Sequence, residues 1–134
     1  MKSLFLIDDD PIFVYLTRRI IASTNYPCDI NEFTDGELAL DYLSKMCEKV
    51  ELLPDIVFLD LSMPVMDGWE FLKEYALLKP RIKKEISLYI VSSSISPQEV
   101  ERSKSYTVVA DFLIKPVERA KIVEIMTGVR ETTP

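Results

Sequence analysis

The chain has 134 residues, 48% of them apolar and 28% charged, which suits one soluble domain built around one core. The net charge of −6 (16 basic minus 22 acidic) argues against nucleic acid or an anionic membrane as the main partner. Histidine is absent, so a histidine general base, a triad or a histidine-ligated metal is excluded, and any metal must take oxygen ligands, Mg2+ or Ca2+ before zinc.

In chain order, short apolar runs alternate with segments of helical period. Ser3–Ile7 reads as a buried strand that ends in three consecutive aspartates, Asp8, Asp9 and Asp10. Asp10-Pro11 is a helix start, with Asp as cap and Pro as first helical residue. The helix it opens carries Ile12, Tyr15, Leu16, Arg19 and Ile20 at core spacing. Cys28–Phe33 is a weaker strand, interrupted by Asn31 and Glu32, and is expected at an edge. A second helix over Glu37–Cys47 places Leu38, Tyr42, Leu43 and Met46 on one face. Glu48–Pro54 reads as a surface connection, and Asp55–Leu59 as a third strand covered on both sides. Trp69, Leu72, Tyr75 and Ala76 mark a third helix after an Asp67-Gly68 turn. Leu88–Val91 is the fourth strand. The helix after Ser96-Pro97 has little apolar pattern beyond Val100 and is expected to be poorly anchored. Asp111–Ile114 is the fifth strand, and after Lys115-Pro116 a fifth helix shows Val117, Ala120, Val123 and Met126.

Such alternation predicts an α/β fold, a doubly wound parallel sheet of five strands with helices on both faces and strand order 2-1-3-4-5. Residues 1–134 read as a single domain, with a core over about 4–129, a short tail over 130–134 and no output domain. No stretch approaches the roughly 20 apolar residues of a membrane span, and Met1-Lys2-Ser3 lacks a signal-peptide apolar region. Cys28 and Cys47 are too few for a disulfide framework, so a reducing cytoplasm is expected.

In such a sheet, ligands meet the carboxyl ends of the strands. Asp8 and Asp9 follow the first strand and Asp60 the third, which are neighbours in this order, so their carboxylates converge in one crevice. A divalent cation turns their mutual repulsion into shared attraction. Ser92 follows the fourth strand and Lys115 the fifth, adding a hydroxyl and an ammonium. This set suits a phosphoryl group, whose oxygens metal and lysine neutralise and the hydroxyl bonds.

With Asp8-Asp9, the signature from Asp60 to Gly68 (LDLSMPVMDG with its preceding Leu59), Ser92 and Lys115-Pro116, the chain resembles the receiver domain of two-component response regulators, a family that includes the chemotaxis regulator. The resemblance spans Leu4 to about Val129. It implies a flavodoxin-like fold and a stand-alone receiver that accepts a phosphoryl group on Asp60 from a phosphohistidine on a sensor histidine kinase or histidine phosphotransfer protein. It further implies Mg2+ held by Asp9 and Asp60, by Asp8 mostly through water, and by the backbone carbonyl of Ser62. Lys115 would hold a phosphoryl oxygen. Ser92 and Phe112 would be the switch residues, and the signal would leave by protein–protein contacts or phosphorelay to an unnamed target. Such a protein is a phosphoacceptor that assists its own phosphorylation and dephosphorylation rather than a classical enzyme.

Two departures bear on switching. Ser92 stands where Thr is common and Phe112 where Tyr is frequent, so the ring has no hydroxyl to bond. The family's frequent Gly-Ala before the fifth strand is Val108-Val109-Ala110 here, with the valines read as core. Two alternatives belong to other classes. An unphosphorylated receiver-like interaction module would not need all five site residues. A Mg2+-dependent phosphohydrolase working through an aspartyl-phosphate, as in haloacid dehalogenase-like enzymes, needs an acid two residues after the nucleophile, where Ser62 stands.

Overall fold

A short apolar run becomes a central parallel strand when both faces of the sheet are covered, because only then is every side chain of the run buried. The computed structural model describes residues 1–94 and 96–128; the expected end of the core at Val129 and the tail Arg130–Pro134 lie outside the described residues. The strands are Lys2–Ile7 (β1), Cys28–Phe33 (β2), Ile56–Asp60 (β3), Ser87–Ser92 (β4) and Val109–Ile114 (β5). Between and after them run Pro11–Ser23 (α1), Gly36–Lys45 (α2), Gly68–Leu78 (α3), Pro97–Ser103 (α4) and Arg119–Thr127 (α5). All strands pair in parallel in the order β2-β1-β3-β4-β5, with the weakly apolar β2 at an edge as its sequence suggested.

Alternate strand residues feed two cores. Phe5, Ile7, Val57 and Leu59 pack with α2 and α3, while Leu4, Leu6, Ile56 and Phe58 pack with α1 and α5. At the amino ends of the strands, Asp55 ties β1 to β3. Burial raises its pKa, but the Ser3 N–H at 2.8 Å and the Lys84 ammonium at 3.2 Å win, and the carboxyl is held below its usual value.

Several packing expectations need correction. In α1 the buried residues are Phe13, Val14, Thr17 and Ile21, whereas Ile12, Tyr15 and Leu16 are 69%, 57% and 45% exposed. The helix carries two apolar stripes, and the side that meets β1 and α5 is set by tertiary contact, which periodicity cannot decide. In α2, Leu38 is exposed and the small Ala39 lies inward beside Leu43; in α3, Ala76 is exposed and Phe71 and Leu78 are buried. The Glu48–Pro54 connection is not wholly at the surface, since Leu53 and Pro54 are buried after a 3-10 turn at Val50–Leu52. Val108 and Val109 are half-buried and pack on the α2–α3 core, in line with the core reading. The β4–β5 register shifts at Leu88/Tyr89, where Ala110 is the unpaired extra residue of β5.

α4 fits its sequence. It has seven residues, and Ser103 is the only one buried.

Candidate functional site

The register of the central strands builds the site. Ile7 stands opposite Leu59, so Asp8 just beyond β1 and Asp60, the last residue of β3, lie side by side at the carboxyl edge. Both are buried, 4% and 6% exposed, while Asp9 is exposed. One carboxylate oxygen from each of Asp8, Asp9 and Asp60 lies within 4.8 Å of the others. The third aspartate of the run does different work. Asp10 Oδ1 accepts from the N–H groups of Ile12 at 3.0 Å and Phe13 at 3.4 Å, capping α1 at its positive end.

Lys115 reaches the acids from the end of β5. Its ammonium is 2.9 Å from Asp8 Oδ2, 3.7 Å from Asp60 Oδ1 and 4.0 Å from Asp10 Oδ2, and sits 4.6 Å from the centroid of the Phe13 ring. The Lys115-Pro116 peptide is cis, which the sequence allowed without requiring. Ser92 is the last residue of β4 and is buried; its carbonyl accepts from Lys115 N–H at 2.8 Å, joining the two residues through the sheet.

Burial, then the charge of Asp8, pushes the Asp60 carboxyl up to about 6, against the opposing pull of Lys115 and the Ser62 N–H. Asp8 is raised as well, chiefly by burial, against its contact with Lys115. Asp8 Oδ2 lacks a hydrogen bond of good geometry despite the nearby ammonium. A buried oxygen left in that state, beside two further carboxylates, is a donor set suited to a hard divalent cation.

Two expected residues are not engaged with the acids. Ser92 Oγ accepts from Ser94 N–H at 3.1 Å within its own loop. Phe112 is half-buried and packs on the α2–α3 core. Ser62 has an exposed side chain, and its N–H donates to Asp60 Oδ1 at 3.4 Å, which sets the turn beside the acids.

Sequence reasoning missed two contributors. The Phe13 ring under Lys115 was hidden by the wrong choice of inward face on α1. The sequence marks Gly68 only as part of a turn. Its N–H donates to Leu61 O at 2.9 Å, and a Cβ there would fall 2.7 Å from Asp60 O and from Leu61 Cα. The glycine therefore permits α3 to start directly against the peptide that carries Asp60. Asp67 caps that helix, accepting from Glu70 N–H at 2.9 Å.

Comparison with known proteins agrees with this geometry. The model of the response regulator receiver domain matches residues 4–127. The chain is 28% identical over 128 residues to the chemotaxis protein CheY of Thermotoga maritima, covering 96% of this chain and 97% of that protein. It is also 28% identical over 129 residues to protein CcdB of Bacillus subtilis, covering 96% and 98%. Among solved structures, a two-component response regulator from Cytophaga hutchinsonii superposes with a TM-score of 0.78 at 25% identity, over 96% of this chain and 95% of that one. The Mn2+-bound form of the response regulator Rcp1 gives a TM-score of 0.72 at 22% identity, covering 100% and 98%, a likeness of fold. This chain belongs to the response regulator receiver domain family.

Proposed function

We propose that this protein is a Mg2+-dependent receiver that takes a phosphoryl group on Asp60 from a phosphohistidine of a sensor histidine kinase or phosphotransfer protein in the cytoplasm. The observation that carries the reading is the gathering of Asp8, Asp9 and Asp60 within 4.8 Å, with the Lys115 ammonium 2.9 Å from one and 3.7 Å from another. A carboxylate oxygen of Asp60 attacks phosphorus, the P–N bond to the partner's imidazole breaks, and the electron pair leaves with the imidazole nitrogen. In the metal-free site burial and the charge of Asp8 raise the Asp60 carboxyl, and a cation held there would favour its ionised, nucleophilic form.

Asp8, Asp9, Asp60 and the Ser62 carbonyl are the residues that would hold Mg2+, which supplies neutralisation of the charge gathering on the transferring group. Lys115 holds a phosphoryl oxygen, moving its charge from the two carboxylates it now spans. The Ser92 hydroxyl exchanges its bond to the Ser94 N–H for one to the phosphoryl group, and Phe112 follows as the aromatic switch. The structure of phosphorylated RcpA, 26% identical with a TM-score of 0.73, supports this chemistry by kinship. The signal leaves through protein contacts or phosphorelay.

The test is intact mass after exposure to acetyl phosphate, with and without Mg2+, beside D60N and D9N. A Mg2+-dependent gain of one phosphoryl group, absent in D60N and slowed in D9N with weakened Mg2+ binding, is the expected result. No adduct in the native chain, together with no Mg2+ binding, overturns the reading in favour of an interaction module that is not phosphorylated.

A further inference from the structure

A line of contacts runs from Asp60 to α4 by way of the first turn of α3. The Gly68 N–H donates to Leu61 O at 2.9 Å, and the two segments run so close that a Cβ on Gly68 would fall 2.7 Å from Asp60 O and Leu61 Cα. The next residue is Trp69, half-buried. The Arg102 guanidinium, from α4, lies 4.2 Å from the Trp69 ring centroid. The Tyr106 ring, just past α4, lies 6.1 Å from Trp69 at an interplanar angle of 30°. These contacts matter because α4 buries little of its own surface among the described residues. Its one buried residue, Ser103, donates its hydroxyl hydrogen bond within the helix, to Val100 O, and its Ser96 cap likewise serves the helix itself.

We propose that Trp69, Arg102 and Tyr106 form a latch by which α3 holds α4, coupling the position of α4 to the state of Asp60 along a route separate from Ser92 and Phe112. The inference rests on the phosphoacceptor reading of Asp60. New charge and new ligands at Asp60 shift the Asp60–Leu61 peptide, and the hydrogen bond from Gly68 N–H to Leu61 O carries the shift into the first turn of α3 and to Trp69. A guanidinium–indole contact depends on position over the ring face, and its loss shifts a two-state equilibrium about two- to thirty-fold. Trp69, Arg102 and Tyr106 are thus positioning residues, acting on α4 and not on the phosphoryl group.

The experiment is amide hydrogen exchange over residues 98–106 of the full chain with Mg2+, before and after beryllofluoride as phosphoryl mimic. It compares the native chain with R102A, W69L, W69F and W69L/R102A. The mimic is expected to speed exchange in the native chain. R102A and W69L should already exchange about two- to thirty-fold faster without it, and the double variant no faster than W69L alone, because W69L already removes the guanidinium–indole contact. W69F, which keeps a ring face for the guanidinium, should stay near the native rate. Native rates in R102A and W69L, additive effects in the double variant, or equal rates in W69F and W69L would overturn the latch. Acetyl phosphate labelling of the same samples, read by intact mass, separates the two claims. An adduct without any exchange response overturns the latch alone. No adduct and no response to the mimic overturn the phosphoacceptor reading and the coupling with it.

Discussion

Lys115 Nζ lies 2.9 Å from Asp8 Oδ2 but 3.7 Å from Asp60 Oδ1, so its ammonium pairs first with Asp8. Asp60 is left with less compensation for its burial, and its carboxyl titrates near 6. An acid of this kind is a better nucleophile than a fully paired one and a costlier group to keep in the fold.

Asp60→Asn is therefore expected to stabilise the metal-free protein, in a pH-dependent way. The folded state holds the Asp60 proton more tightly than the unfolded chain, so the Asp60 contribution to stability falls as pH rises from about 4 to about 6 and is level above that window. The gain in D60N should reach ~2–3 kcal/mol above that window and vanish below it. Urea unfolding in EDTA at pH 4 and pH 7.5 measures it. A gain equal at both pH values would remove the crowded-acid explanation.

Lys115→Met should do the reverse. It leaves Asp8 and Asp60 buried without their cation, at a cost of ~3 kcal/mol near neutral pH that shrinks as falling pH protonates both acids. The same titrations read it, and Mg2+ should restore part of the loss. A pH-independent loss would point to lost packing on Phe13 instead.

Gly68→Ala should damage the site through the backbone. With Asp60 O and Leu61 Cα both 2.7 Å from the added methyl, either α3 or the Asp60 peptide must move. A loss of ~1–3 kcal/mol is expected, with slower labelling by acetyl phosphate under conditions where the variant is fully folded. Native labelling and native stability together would show that the turn has room to yield.

Val65 stands in the signature loop with φ +66°, the left-handed region that a β-branched residue adopts at a penalty. Its side chain is 75% exposed, so little packing offsets the strain. Val65→Gly should raise stability by about 1 kcal/mol, measured as an increase in the urea midpoint at constant slope. A lower midpoint would mean that the valine makes contacts worth more than the strain.

Tyr75 is fully buried on α3, its hydroxyl has no hydrogen-bond partner among the described residues, and burial pushes its pKa up to about 12. Tyr75→Phe removes the desolvated hydroxyl and keeps the ring stacked 5.6 Å from Phe71. Stability should be unchanged or higher by up to ~1 kcal/mol on thermal or urea unfolding. A clear loss would reveal a partner for the hydroxyl.

The strands, their order and the chemical cast of the site were legible in the sequence for local reasons. Apolar runs ending in Asp8-Asp9, Asp60, Ser92 and Lys115 place those groups at strand ends whatever the details of packing, because a parallel sheet brings all its carboxyl ends to one edge. Asp10 and Asp67 were legible as a cap and a turn because each acts on neighbours within three residues. The inward face of α1 was not, since Ile12-Phe13-Val14-Tyr15-Leu16 offers apolar side chains in every direction. Contact with β1 and α5 chose Phe13 and Val14, and the same choice put the Phe13 ring beneath Lys115.

The sequence by itself determined which groups reach the crevice, because strand period and strand ends are local properties of the chain. Only the tertiary structure decided how they share it. Whether Lys115 favours Asp8 or Asp60, why Gly68 must lack a side chain, and how Arg102 comes to lie on Trp69 are matters of a few ångströms between residues distant in sequence. Burial and distance set electrostatic strength, and neither exists until the layers have packed.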